Sequence, residues 1–162
     1  MMVLSLVLVL VFFLASPRPV SAQERVSKVE FGPVLTTEID LTWALGGCVT
    51  LNPHRKIGFD LELNYFPDAF GGNATTGLFG VKLTPFRRNR VALFGKVRPG
   101  FARLNATVFG FNFSLTKFAL DYGGGVEVFL SKHVGVRVDL GPFHVRDLGQ
   151  VYFVSPRVTF RF

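Results

Sequence analysis

The sequence predicts an all-β fold, an eight-stranded antiparallel transmembrane β-barrel preceded by a cleaved signal peptide. Three observations carry this expectation: side-chain alternation that recurs from strand to strand, a short apolar run at the start followed by small residues, and a last strand closing on Phe160, Arg161 and Phe162. Successive side chains of a β-strand point to opposite faces, so alternation gives each strand one apolar and one polar face. In the segment from Ile57 to Tyr65, Ile57, Phe59, Leu61, Leu63 and Tyr65 share one face, and Gly58, Asp60, Glu62 and Asn64 the other. The polar face carries charge, so it needs partners of opposite sign.

Val3 to Leu14 is almost wholly apolar and is followed by Ser16, Pro17, Pro19, Val20, Ser21 and Ala22. A run of this length is short of the ~20 residues a spanning helix needs. It matches the apolar core of a secretory signal with a small-residue cleavage site after Ala22. No Lys or Arg precedes it. The expected organisation is a signal peptide over 1–22 and one barrel domain over 23–162. Cleavage removes Arg18 and leaves 140 residues with a net charge of +6, against +7 for the whole chain. The single cysteine, Cys48, has no partner for an internal disulfide. An exported chain with no recognition-helix pattern does not meet nucleic acid, so the positive charge is not read as a nucleic-acid footprint.

Eight strands are expected, at approximately Val26–Leu35, Ile39–Leu51, Ile57–Phe66, Thr76–Thr84, Val91–Leu104, Leu115–Leu130, Val134–Val145 and Val151–Phe162. Each is close to or above the ~9–11 residues a transmembrane strand requires. With both termini on one side, short turns fall at Asn52–Lys56, Pro85–Arg90 and Ser131–His133. Outer loops fall at Thr36–Glu38, Asp68–Thr75, Asn105–Ser114 and Arg146–Gln150. Short periplasmic turns opposite longer outer loops are the usual asymmetry of such barrels. The basic residues gather in the turns, as His54, Arg55 and Lys56, as Arg87, Arg88 and Arg90, and as Lys132 and His133. Charge in a turn is most simply read as solvation.

The polar parity defines a lumen containing Asp60, Glu62, Asp121, Glu127 and Asp139 against Lys82, Lys96, Arg98, Arg137, Arg157 and Arg161. A charge on the lipid face at mid-bilayer costs ~2–4 kcal/mol, which directs all of these inward. The interior of an eight-stranded barrel is filled by side chains, so the charges must pair with one another. Gly123, Gly124 and Gly125 lie within a strand with no helix after them, which excludes a phosphate-cradling loop and suggests sharp coiling or a bulge. Hairpins starting at Ile57, Val91 and Val134 repeat one construction at unequal intervals.

Gly77 to Lys82 (GLFGVK), Phe94 to Phe101 (FGKVRPGF) and Phe118 to Phe129 (FALDYGGGVEVF) resemble the bacterial outer-membrane β-barrel domain family, related to the OmpA transmembrane domain and OmpX. The resemblance spans essentially the whole chain after residue 22. It implies an eight-stranded barrel in the outer membrane of a Gram-negative-type bacterium. It also implies delivery through the periplasm and insertion by the barrel-assembly machinery; the expected partner is outer-membrane lipid, and the expected state a monomer. Phe160 and Phe162 resemble that family's insertion signal, with Arg157 where a Gly often stands.

The leading functional expectation is a small non-enzymatic barrel with a filled lumen and no cofactor or metal, serving envelope structure or surface interaction. Phe109, Phe111 and Phe113 in the third outer loop are its candidate contacts, or part of an aromatic girdle. A soluble periplasmic lipocalin-like lipid carrier with its apolar face inward fits the same alternation, although Phe162 and the broad apolar band favour the membrane. A lipid A-modifying enzyme is the third reading. His144, Ser155 and Asp147 fall near the outer half of the last hairpin, but the His-x-Ser spacing of lipid A deacylases is absent. His144 and Ser155 also have opposite parity. Sequons at Asn73, Asn105 and Asn112 fall in outer loops and are read as chance, because paired cysteines are lacking.

Overall fold

A computed structural model describes residues 27–38, 42–69, 72–88, 90–108 and 111–162. The expected signal segment and Phe109 lie outside these residues. The strands are β1 (Val29–Glu38), β2 (Trp43–His54), β3 (Ile57–Ala69), β4 (Gly72–Arg88), β5 (Val91–Val108), β6 (Phe111–Phe129), β7 (Val134–Val145) and β8 (Gly149–Arg161). Each pairs antiparallel with the next, and β8 closes on β1 with Glu30 opposite Arg161 and Thr37 opposite Val154. Closure removes the free sheet edges that would otherwise leave backbone groups unpaired in lipid.

Alternation sets the register. Along β3 the odd residues from Ile57 to Tyr65 are exposed on the outer wall, while Gly58, Asp60, Glu62 and Asn64 are buried inside. Slipping a strand by one residue would turn its charges into lipid, so register is strongly specified. The outer wall carries Leu45, Leu63, Phe79, Val97, Phe118 and Tyr152, among many other exposed apolar side chains. The interior holds Cys48, Thr50 and the charged set.

The structure corrects two expectations. The segments assigned to the first three outer loops are mostly strand: β1 continues to Glu38, β3 continues to Ala69 and β4 starts at Gly72, while β5 continues to Val108 and β6 starts at Phe111. Their polar and small residues look like loop by composition. Their backbones nevertheless pair in register, with Asn73 opposite Asn105 and Asn105 opposite Ser114. Side chains reinforce the pairing, as Asn105 Nδ2 donates to Asn73 Oδ1 at 3.0 Å and Arg103 Nε to Ser114 Oγ at 3.1 Å. The last pair between β6 and β7 is Ala119 with Val145, so the β5–β6 hairpin rises beyond its neighbour.

For the glycine run, the bulge is the part of the expectation that is corrected. Register shifts occur at Leu51/His54, Phe66/Ala69 and Leu83/Phe86. Gly123 to Gly125 keep register with β5, where Lys96, Gly95 and Phe94 face them in turn. The reason for glycine is close approach: a Cβ on Gly123, whose φ is +154°, would sit 2.2 Å from the Leu140 carbonyl oxygen. Only a residue without a side chain lets the backbones come that near.

Candidate functional site: the charged lumen

Every strand except β2 contributes charge to the lumen. The eleven charged residues assigned inward by parity are all buried, and Glu30 on β1 joins them at 1% exposure. Glu30 was missed from sequence, although its place between outward-facing Val29 and Phe31 gives the signal. With it, the buried charges among the described residues are six carboxylates and six cations. The interior is neutral in formal charge, which a dry lumen requires.

The ion pairs lie in two layers. In the central layer Arg98 contacts Glu62 and Asp121. Lys96 Nζ lies 2.9 Å from both Asp121 Oδ2 and Asp139 Oδ2. Arg137 Nη2 donates to Asp60 Oδ2 at 2.7 Å and its Nε to Asp139 Oδ1 at 2.7 Å. Arg157 Nη2 reaches Asp139 Oδ2 at 2.6 Å and Glu62 Oε2 at 2.7 Å. Neutral donors complete the carboxylates: Thr50 Oγ1 donates to Asp60 at 2.7 Å and Asn64 Nδ2 to Glu62 at 2.8 Å. Charge-assisted hydrogen bonds of this kind are the strong ones.

The second layer lies toward the end bearing residues 27–28 and 162. There Glu30 accepts from Lys82 Nζ at 3.4 Å and from Arg161 Nε at 3.2 Å. Glu127 lies 3.8 Å from Lys82 Nζ, and neither of its oxygens accepts a hydrogen bond. Two inward aromatics support the cations. The Arg137 guanidinium sits 4.1 Å from the Phe94 ring centroid, and Phe129 is approached by Arg161 at 4.1 Å and Arg87 at 4.9 Å. Such contacts add to charge pairing when desolvated.

Toward the opposite end the lumen turns apolar. Ala44, Phe66, Ala69 and Ala74 form one buried cluster and Leu78, Ala102, Ala119 and Phe143 another, with Phe153 packed against both. The Phe153 ring centroid is 5.0 Å from that of Phe143 and 5.6 Å from that of Phe66. Between this plug and the central ion pairs is a cavity of about 10 Å³ touched by Thr36, Asn64, Lys96 and Ser155. That is room for about one water. Among the described residues, paired ions fill the middle of the lumen and apolar side chains the part beyond it.

The suggested catalytic constellation is not assembled. His144 is exposed on the outer wall opposite Gln150. Ser155 is buried in the lumen within 3.0 Å of Thr36 Oγ1, and Asp147 pairs with Lys117 at 2.9 Å. Among the described residues no group of three or more His, Cys, Asp or Glu is arranged to hold a metal. Of the candidate contacts, Phe113 stands exposed on β6 opposite Ala106, and Phe111 is paired through its backbone with Val108.

A closed eight-stranded wall with apolar side chains outside and paired ions inside defines a small membrane-spanning barrel. The model of the outer membrane protein beta-barrel domain family matches residues 8–162, and the chain belongs to that family. Its place is the outer membrane of a Gram-negative bacterium. The fold is similar to the N-terminal β-barrel domain of Pseudomonas aeruginosa OprF, with a TM-score of 0.64 at 18% identity over 83% of this chain and 96% of that one. Neisserial surface protein A (NspA) is similar with a TM-score of 0.63 at 10% identity, covering 83% of this chain and 94% of that one. Ail, the attachment invasion locus protein of Yersinia pestis, gives a TM-score of 0.56 at 15% identity over 84% and 97%. No curated protein matches the sequence.

Proposed function

We propose that this chain serves the bacterial envelope as a closed, non-catalytic barrel that acts through its rims and outer wall and passes nothing through its interior. The carrying observation is the lumen itself, in which six carboxylates meet six cations beneath an apolar plug. The ion-pair network is structural in this reading. Residues 1–22 direct export and are removed, and the barrel-assembly machinery inserts the remainder as a monomer, with Phe160 and Phe162 as its recognition signal. Phe111 and Phe113 on the raised β5–β6 hairpin, together with Phe109, which lies outside the described residues, are the proposed surface contacts. The name of the similar Ail protein, an attachment invasion locus protein, supports a surface role for a barrel of this shape.

Single-channel recording in planar bilayers tests the closed lumen. The purified barrel is expected to insert without stable conductance steps, because an eight-stranded interior packed with side chains leaves little room for solute. Large, long-lived channels from the monomer would overturn the reading.

A further inference from the structure

The end of the barrel bearing residues 27–28 and 162 is unlike the other. Here β2 connects to β3, β4 to β5 and β6 to β7, and the sequence from Leu51 to Ile57, from Thr84 to Val91 and from Leu130 to Val134 contains no Asp or Glu. Lys28, Lys56, Arg88 and Lys132 project there as exposed full charges. At the other end the charges are mixed and partly paired, as Lys117 with Asp147.

Each of these cations adjoins the apolar wall. Lys28 precedes Val29, Lys56 precedes Ile57, Arg88 lies two residues beyond Phe86, and Lys132 lies two beyond Leu130, all four neighbours being exposed apolar side chains. At ~3.3 Å per residue along a tilted strand, the charges stay within the headgroup zone just below the hydrocarbon. The turns are too short to carry them further from the membrane. A surface that is apolar above and rich in cations below suits an amphiphile with an anionic head, and these cations border the lipid-facing wall.

We propose that this basic rim is a binding surface for anionic phospholipid headgroups of the leaflet on that side, the periplasmic one, and that it fixes the depth and orientation of the barrel. The inference rests on the outer-membrane reading and adds a lipid preference to it. Attraction of a basic side chain to an anionic lipid surface corresponds to roughly fivefold in partitioning per charge, and it is screened by salt over about a Debye length.

The test uses the full barrel refolded into vesicles of phosphatidylcholine with a minor share of phosphatidylglycerol, extracted gently and analysed for retained lipid by native mass spectrometry. The expected result is phosphatidylglycerol enriched over phosphatidylcholine, falling as salt rises. A variant carrying Lys28→Gln, Lys56→Gln, Arg88→Gln and Lys132→Gln should lose at least tenfold of that enrichment while its gel mobility still changes on boiling. Equal retention of the two lipids by the unaltered protein, or undiminished enrichment in the variant, would overturn the proposal. Charge-dependent sedimentation with purified cell-wall sacculi in place of lipid enrichment would overturn it in favour of a polymer partner. Failure to enter vesicles at all would overturn the membrane reading, and the lipid surface with it.

Discussion

Asp60 on β3 and Arg137 on β7, strands that are not neighbours in the wall, meet across the lumen with Nη2 and Oδ2 2.7 Å apart. The same guanidinium grips Asp139 on its own strand and lies over the Phe94 ring. Arg137 therefore ties β7, β3 and β5 together from inside, at 0% exposure.

Replacing Arg137 by Met is expected to destabilise the barrel by roughly 3–5 kcal/mol, since Asp60 and Asp139 would remain buried without their shared partner. Urea unfolding in vesicles, followed by the loss of the boiling-dependent gel shift, measures this. A loss below about 1 kcal/mol would mean that water or Lys96 replaces the guanidinium, and that the pair is not structural.

Glu30 and Glu127 make a sharper comparison, because both face Lys82. Glu30 accepts hydrogen bonds from Lys82 and Arg161, whereas Glu127 accepts none and stands 3.8 Å from Lys82 Nζ. Glu30→Gln should therefore cost roughly 2–4 kcal/mol, and Glu127→Gln about 1 kcal/mol or less, as a neutral amide suits a site where the carboxylate has no donor. Equal losses in the two variants would show that formal charge, not hydrogen bonding, governs this end of the lumen.

These contrasts show how much the sequence reveals and where it stops. Parity along β3, β7 and β8 is enough to place Asp60, Arg137 and Arg157 inside, because strand geometry has a strict period of two. Glu30 carries the same signal but lies in a strand with Pro33 and few charges, so its face is less obvious. Which carboxylate meets which cation is not legible, since partners such as Glu62 and Arg157 are joined through closure of the whole wall. The plug of Phe66, Phe143 and Phe153 escapes for a different reason: apolar residues at lumenal parity near the outer rim look like breaks in alternation. The raised β5–β6 hairpin escapes because backbone pairing beyond the membrane no longer depends on an apolar face.

Ser155→Ala and His144→Ala test the absence of lipid chemistry. Their side chains occupy opposite faces of the wall, so no proton passes directly between them, and a nucleophile needs its base within hydrogen-bond reach. Ser155→Ala should lower stability by about 1 kcal/mol through loss of the contact with Thr36, and His144→Ala should change it little. Lipid A analysed by mass spectrometry is expected to be identical in both variants and the parent. A lipid A modification missing from either would restore the enzymatic reading.

Phe162 separates assembly from stability. Phe162 is 69% exposed, and its ring stacks on that of Phe31 with centroids 5.6 Å apart and planes 4° from parallel. Closure of β8 on β1 here uses the backbone: the Phe162 N–H donates to the Val29 carbonyl, and its own carbonyl accepts from the Lys28 N–H, both at 3.0 Å. Phe162→Ala keeps those bonds and removes a side chain that would lie in lipid in either case, so the folded barrel should lose no more than about 1 kcal/mol. If the ring is read by the insertion machinery, the variant should accumulate unassembled in cells while refolding normally into vesicles. A pulse-chase that follows the boiling-dependent gel shift in cells, set beside the same shift in vesicles, distinguishes the two effects. Assembly at the parental rate in cells would show that Phe162 is only part of the wall.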